Sequence, residues 1–211
     1  MNLRIFGRFF SATLTLALLA ATPFVRAADE APDAMIKRVS GEVLDTIKSD
    51  KAIQAGDMSL VRTLVDTKVM PNVNFTRMTA SAVGRNWRQA TPEQKTRLQE
   101  EFKTRLIRTY SGALSQVRDQ TLNVKGLRAA PGDNEVVVRT EVIGRSDPVQ
   151  LDYRMEKTPS GWKIYDLNVL GVWLVETYRT QFAEEIGAKG IDGLITSLAQ
   201  RNKSNAGDKK S

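Results

Sequence analysis

The 211-residue chain contains neither cysteine nor histidine. Without cysteine, disulfides, thiolate metal sites and thiol nucleophiles are excluded. Without histidine, the chain lacks the side chain that most often serves as general base, proton shuttle or metal ligand. Catalysis would have to depend on carboxylates, lysine, tyrosine or serine. No motif for a phosphate loop, a hydrolase nucleophile or a calcium loop stands out.

The excess of basic over acidic residues is small and spread along the chain. There are 31 lysines and arginines against 24 acidic residues, and three of the 31 (Arg4, Arg8 and Arg26) lie among the first 27 residues. A nucleic-acid-binding face requires a cluster of basic residues. We therefore expect no nucleic acid among the partners.

Residues 1–27 have the composition of a secretory signal peptide. Two arginines, Arg4 and Arg8, precede an uncharged and largely apolar run over 9–21. Thr22-Pro23 breaks that run, and Val25-Arg26-Ala27 supplies small or modest residues at the positions that a signal peptidase reads. The run is shorter than the roughly 20 residues that span a bilayer, which favours cleavage near Ala27 over a membrane anchor. The sequence thus predicts an exported protein.

The remaining chain is predicted to form a single domain over 28–201, followed by a flexible tail over 202–211. Its first half has apolar residues at helical spacing, interrupted at Gly56 and at Pro71. Thr91-Pro92-Glu93-Gln94 has the sequence of a capping box and predicts the start of a long helix.

The second half changes to the alternating pattern that is typical of β-strands. Turn sequences separate four runs, Leu122–Ala130, Glu135–Ile143, Val149–Lys157 and Trp162–Leu170. Helices return from about Leu174, with a break near Gly190. The order of helices, antiparallel strands and helices predicts an α+β fold, with helices packed on one face of a twisted four-stranded antiparallel sheet.

The segment Tyr165–Phe182 is unusual because its centre is almost continuously apolar. A half-buried antiparallel strand would alternate apolar with polar residues. A strand with two apolar faces needs two apolar environments, and a domain of this size has one core. The second environment could be a partner, a membrane surface or a cavity filled by an apolar ligand. Asp166, the acidic residue at the start of this segment, is either a buried base or, more simply, a solvated side chain or a hydrogen-bond anchor.

Two groups of motifs, taken together, are specific. The N-terminal group comprises Met70-Pro71, Asn74-Phe75, Val83-Gly84-x-x-Trp87, Thr91-Pro92-Glu93-Gln94, Phe102 and Thr109-Tyr110. The C-terminal group comprises Trp162–Leu167, Gly171-Val172, Tyr178-Arg179-x-Gln181-Phe182 and Gly190-x-Asp192-x-Leu194-Ile195. Their order and spacing over about residues 35–200 resemble the MlaC family, also called the toluene-tolerance family. Trp173 departs from the family pattern, because a small serine is common there.

The resemblance implies a periplasmic phospholipid carrier of the Mla pathway. Such a carrier shuttles lipid between an outer-membrane lipoprotein–porin complex and an inner-membrane ABC transporter complex, and so maintains the lipid asymmetry of the outer membrane. Phospholipid would be the bound cargo of a monomer, with no cofactor, no metal and no enzymatic activity.

The family resemblance also implies an apolar pocket enclosed between helices and sheet. We expect its lining to consist of Phe75, Met78, Phe102, Leu106, Tyr110, Val138, Leu151, Tyr153, Ile164, Val169, Val172, Trp173 and Tyr178. Whether Ile164 or Val169 points inward depends on the strand's alternation, which a bulge near Gly171 would change. The bulk of Trp173 would narrow the pocket. Two alternatives stay open: an exported adaptor that docks a partner through its apolar segment, and a small-substrate enzyme that uses Asp166.

Overall fold

The computed structural model describes residues 30–127, 129–130 and 132–207, with the backbone alone for 205–207. The predicted signal peptide, 1–27, lies outside the described residues. Within the described part of the chain, no helix is both long enough and apolar enough to cross a membrane.

Short helices form the first part of the fold. They are α1 (Pro32–Ser49), α2 (Lys51–Gln54), α3 (Met58–Leu64) and α4 (Phe75–Val83). Asp50 and Asp57 begin α2 and α3, because each carboxylate accepts two backbone N–H groups of the first turn. A π-helical turn (Val65–Val69) and a 3-10 turn (Met70–Asn72) lead to α4, whose predicted cap, Asn74, is confirmed.

The long helix α5 (Pro92–Ser115) begins at the predicted capping box. Thr91 Oγ1 accepts the N–H of Gln94 at 3.2 Å, and Gln94 Oε1 accepts the N–H of Thr91 at 3.0 Å. Leu98 and Phe102 on this helix are fully buried. Helix α5 therefore forms the centre of the helical layer, between α4 and α6 on one side and α2 and α3 on the other.

Helix α6 spans Leu174–Gly207 and breaks, as predicted, at Gly190, where φ is 69°. The segment predicted as a tail from Asn202 instead continues the helix as far as Gly207. Asn202 is buried, and its Nδ2 donates to the backbone oxygen of Glu101 at 3.0 Å and to the Glu101 carboxylate at 2.7 Å. Because this contact is polar, the segment from Asn202 onward lacks the apolar pattern from which a packed helix is predicted.

In the part of the chain that the structure describes, the sheet has six antiparallel strands in place of the four that were predicted. They are β1 (Thr121–Val124), β2 (Glu135–Val138), β3 (Thr140–Ile143), β4 (Val149–Thr158), β5 (Gly161–Val169) and β6 (Val172–Trp173). The order is β1-β3-β4-β5-β6, and β2 also pairs with β4.

Two local features account for the extra strands. The second predicted run divides at Arg139, because the N–H of Thr140 donates to the Asp152 carboxylate at 3.1 Å instead of to a carbonyl of the neighbouring strand. At the end of β5, Leu170 and Gly171 have φ values of 53° and 87°. Two consecutive positive φ values are typical of a tight hairpin turn, so the chain reverses there and forms β6.

A bulge in β5 lies at Tyr165 and not near Gly171, where a bulge would also have changed the alternation. Met155 pairs with Ile164, whereas the preceding residue of β4, Arg154, pairs with Asp166, so Tyr165 is the extra residue. Because of this bulge, Ile164 and Val169 both lie on the inner face of the sheet.

Apolar side chains of the described residues form three clusters. The helical cluster joins α4, α5 and α6, the sheet cluster joins α1 to the inner face of the sheet, and a third cluster joins α2 and α3 to α5. Val73 and Leu167 are half-buried and pack against both the helical and the sheet clusters. The boundary between helices and sheet therefore runs through these two residues.

Candidate functional site

The thirteen predicted pocket residues fall into three groups. Those of the helical cluster are Phe75, Met78, Phe102, Leu106, Tyr110, Val169 and Tyr178. Those of the sheet cluster are Val138, Leu151, Tyr153 and Ile164. Val172 and Trp173 belong to neither cluster and lie on the short strand β6. The structure thus brings eleven of them to the two sides of the boundary between helices and sheet.

A cavity of about 330 Å³ lies where α5, α6 and the β5–β6 hairpin meet. Its apolar lining includes four of the predicted residues, Tyr110, Val169, Val172 and Tyr178, together with Leu174. The other lining residues are Arg105, Thr109, Thr177 and Gln181.

The two threonine hydroxyls of this cavity are satisfied by the protein itself. The hydroxyl of Thr109 donates to the backbone oxygen of Arg105 at 2.8 Å, and that of Thr177 donates to the backbone oxygen of Trp173 at 3.1 Å. Burial raises the pKa of Tyr110, so its phenol is uncharged at neutral pH. The cavity wall therefore suits an apolar ligand better than a charged one.

Arg105 is the charged residue among those that line the cavity, and sequence reasoning missed it. Its guanidinium has no hydrogen-bond or ion-pair partner in the described part of the chain. An arginine in this situation can bind an anion, and phosphate suits the geometry of its donors. A signal was available in the sequence, because Arg105 lies between predicted lining residues Phe102 and Leu106.

Aromatic rings close the inner end of the site. The ring centroid of Phe102 lies 4.8 Å from that of Tyr178 and 5.2 Å from that of Phe182, with edge-to-face geometry in both pairs. Phe75 lies 5.8 Å away on the α4 side. Such contacts fix the relative positions of α4, α5 and α6 behind the cavity.

Trp173 does not narrow the cavity as the sequence suggested. It pairs with Asn168 across the β5–β6 hairpin, and its ring lies 3.9 Å from the guanidinium carbon of Arg154. Asn168 and Arg154 both belong to the outer face of the sheet. The indole therefore packs under a cation on the outer face, and it is not part of the cavity lining.

Asp166 is a hydrogen-bond anchor. Its Oδ1 accepts the N–H of Leu167 at 2.8 Å and that of Val175 at 3.0 Å, and its Oδ2 accepts from Arg154 at 3.0 Å. Burial raises the pKa of this carboxyl against the effect of these donors. Because both oxygens are engaged in holding β4, β5 and α6 together, the geometry assigns Asp166 to the structure and not to a substrate. No group of three or more metal-ligating side chains occurs among the described residues.

The family model for the MlaC protein matches residues 37–200. The chain belongs to the MlaC family. It is 28% identical over 179 residues to the toluene tolerance protein ttg2D of Pseudomonas putida, a match that covers 84% of this chain and 83% of that relative. It is 23% identical over 177 residues to the intermembrane phospholipid transport system binding protein MlaC of Haemophilus influenzae, with coverage of 82% and 83%.

A solved structure extends this family relationship to the fold. The phospholipid-binding protein of Ralstonia solanacearum, determined in complex with a phospholipid, is 48% identical and superposes with a TM-score of 0.81. The match covers 85% of this chain and 99% of that protein. The α+β fold and the family resemblance predicted from the motifs are both confirmed.

Proposed function

We propose that this protein is a periplasmic phospholipid carrier, exported by a signal peptide that is cleaved near Ala27. It would shuttle lipid as a monomer between an outer-membrane lipoprotein–porin complex and an inner-membrane ABC transporter complex, and so maintain the lipid asymmetry of the outer membrane. The main support is its likeness, at 48% identity over almost the whole of the neighbour, to a protein solved with phospholipid bound.

The physics of the cargo explains the apolar interior. Burying one methylene is worth about 0.8 kcal/mol, so two acyl chains of roughly thirty methylenes would cost about 25 kcal/mol if left in water. A carrier must therefore enclose both chains. It must also release them, which favours broad apolar contact with few polar anchors. An apolar wall whose threonine hydroxyls are satisfied internally meets both requirements.

The size of the cavity indicates how loading would occur. Taking a methylene as about the size of a water molecule, roughly 30 Å³, thirty methylenes need about 900 Å³. The cavity of about 330 Å³ holds about a third of that. We propose that loading widens it inward, between the helical and sheet clusters, past Val73 and Leu167.

On this proposal, most of the thirteen predicted residues contact the acyl chains once the cavity has widened. Tyr110, Val169 and Val172 would contact the cargo first, because they line the cavity that exists without it. Val138, Tyr153 and Ile164 would be reached later, from the sheet side. Trp173 would remain outside.

Arg105 is the proposed contact for the lipid phosphate. It lies on α5 at the cavity, half-buried, where a headgroup would remain when the chains enter. A charge-assisted hydrogen bond from a guanidinium to phosphate is about twice as strong as a neutral one. One such contact orients the lipid without making its release too slow.

Extraction of the purified protein tests the proposal. The full gene should be expressed in a Gram-negative host, and the exported protein should be extracted with organic solvent and analysed by mass spectrometry. We expect about one phospholipid per chain. The same chain, unfolded and washed in guanidinium and then refolded, should take up phospholipid from vesicles. Absence of lipid from both preparations would overturn the proposal.

The shuttle itself needs a separate test in cells. Deletion of the gene should increase the phospholipid exposed in the outer leaflet of the outer membrane, and the intact gene should restore the lower level. If the purified protein binds phospholipid but deletion leaves the outer leaflet unchanged, the protein is a lipid-binding protein of another kind.

A further inference from the structure

A second and larger concavity lies on α4 and α6, and its lining shares no residue with that of the cavity. It runs between the 3-10 turn Gly84–Arg88, which follows α4, and the part of α6 around Gly187 and Gly190. Its volume is about 1330 Å³, above the 300–1,000 Å³ that is usual for small-molecule sites. We call it the arginine groove.

The charge of the arginine groove is one-sided. Arg77, Arg85, Arg88 and Arg179 line it, and none of the described residues in its lining carries a carboxylate. Glu135 and Glu156 neutralise Arg77 at one end of the groove. The other three arginines form no ion pair with any described residue, although Arg179 Nε donates to the backbone oxygen of Ser81 at 2.9 Å.

The floor of the groove is apolar. Val83, Trp87, Ile186 and Ile191 line it, and all four also pack against the helical cluster. A site for a small inorganic anion would not need such a floor. Apolar contacts flanked by cations match a segment that carries both apolar and acidic side chains.

Glycine keeps the groove open on the α6 side. Gly187 is exposed within the helix, its φ is not positive, and a Cβ at this position would meet nothing within 4 Å. The fold therefore has room for any small side chain there. Glycine inside a helix is less stable than alanine, and nothing else in the described structure requires it. A glycine here permits the close approach of another backbone.

We propose that the arginine groove is the docking site for an acidic, amphipathic segment of a protein partner. Its carboxylates would pair with Arg85 and Arg88, its apolar side chains would rest on Trp87 and Ile186, and its backbone would approach α6 at Gly187. A flat membrane surface cannot enter a concave groove to reach this floor, which favours a protein segment over anionic lipid. This inference goes beyond lipid carriage and does not depend on what the interior binds.

Site-specific photo-crosslinking in cells of the native bacterium tests the proposal with the full exported chain. A photoreactive phenylalanine derivative replaces Arg85 in one variant and Arg88 in another, and in a control it replaces Lys37, which is exposed on α1. We expect both groove positions, and not the control, to crosslink to one other protein. Mass spectrometry of the crosslinked peptide should find a segment with several acidic and several apolar residues.

A binding measurement then uses that segment as a labelled synthetic peptide. Fluorescence anisotropy should show at least tenfold weaker binding when Arg85→Glu and Arg88→Glu are combined, and a similar loss for Gly187→Leu. Gly187→Leu should leave thermal unfolding unchanged or shift it to higher temperature, which separates a blocked groove from a damaged fold. Replacing the acidic residues of the peptide by their amides should weaken binding to the unaltered protein.

Several results would overturn the docking proposal. These are the absence of crosslinks at both groove positions, crosslinks to lipid alone, crosslinks to a second copy of this chain, and the same products at Lys37. A crosslinked segment without acidic residues would also overturn it. Because lipid extraction is a separate assay, loss of docking and loss of lipid binding can be told apart.

Discussion

Arg154 and Asp166 form an ion pair between neighbouring strands, with Arg154 Nη1 3.0 Å from Asp166 Oδ2. The other oxygen of the same carboxylate accepts the N–H of Val175, in the first turn of α6. Arg154 also reaches Glu176 at 3.1 Å and covers the ring of Trp173. One buried carboxylate thus joins β4, β5 and α6 at the end of the segment that carries the cavity.

The first prediction concerns this carboxylate. Asp166→Ala should lower the free energy of unfolding by about 3 kcal/mol, because two buried N–H groups and a guanidinium lose their acceptor. Asp166→Asn keeps an oxygen for Leu167 and Val175 and should lose only about 1 kcal/mol. Urea unfolding followed by circular dichroism measures both. Equal losses in the two variants would show that the hydrogen bonds from the N–H groups of Leu167 and Val175 contribute nothing to stability.

The second prediction is a pH dependence with a defined sign. The pKa of Asp166 is raised by burial, so between its ordinary and its raised value the folded state binds more protons than the unfolded state. The stabilisation that arises from this difference in proton binding is therefore fully present below the ordinary pKa, and it is lost as pH rises through the raised one. The difference in unfolding free energy between the wild type and Asp166→Asn should shift in favour of Asn as pH rises through that interval. A difference that shifts in the opposite direction contradicts a raised pKa. The chain has no histidine to contribute a signal of its own.

The third prediction tests the cavity by filling it. Val172 lines the cavity yet is 54% exposed, so Val172→Trp should fold normally and should reduce the bound phospholipid several-fold by occupying the entrance. The matched control is Val137→Trp, because Val137 is 39% exposed on β2, where it pairs with Arg154 on the outer face. Phospholipid per chain, measured after extraction, is the readout. Equal amounts of bound phospholipid in the two variants would mean that the lipid does not enter the protein through this cavity.

The fourth prediction concerns Arg105. Arg105→Gln should increase the rate at which phospholipid leaves the protein by about tenfold, because one charge-assisted hydrogen bond at a half-buried site is worth about 1.5 kcal/mol. Arg105→Lys should restore part of the retention, since it keeps the charge without the paired donors. Arg97→Gln, an exposed change on the same helix, serves as the control. Release into excess acceptor vesicles measures the effect, and identical rates for Arg105→Gln and Arg97→Gln would remove Arg105 from the site.

Local signals predicted the helices well. The capping box at Thr91 and the cap at Asn74 involve residues three apart, so the sequence itself displays both partners. Gly190 likewise ends one part of α6 through its own backbone conformation. In each case the interaction that decides the structure lies within one turn of the residue.

The predictions that were wrong depend on contacts between residues that lie farther apart in the sequence. The division between β2 and β3 depends on Asp152, twelve residues from Thr140. The end of α6 depends on a contact between Asn202 and Glu101, which lie 101 residues apart. Trp173 faces outward because of its pairing with Asn168 and the cation of Arg154. Arg105 was missed for a related reason: the sequence places it beside Phe102 and Leu106, but only the assembled structure shows that none of the described residues pairs with its guanidinium at the cavity.

The bulge at Tyr165 sets which face each residue in the second half of β5 occupies. If the pairing with β4 were regular past Ile164, with no extra residue, the two faces of that half of the strand would be exchanged. Leu167 and Val169 would turn outward, and Asp166 and Asn168 would turn toward the apolar interior. A change of length in the loop 144–148 would have no such effect, because it precedes the first residue of β4. The one extra residue at Tyr165 is therefore as strict a requirement as any side chain in the site.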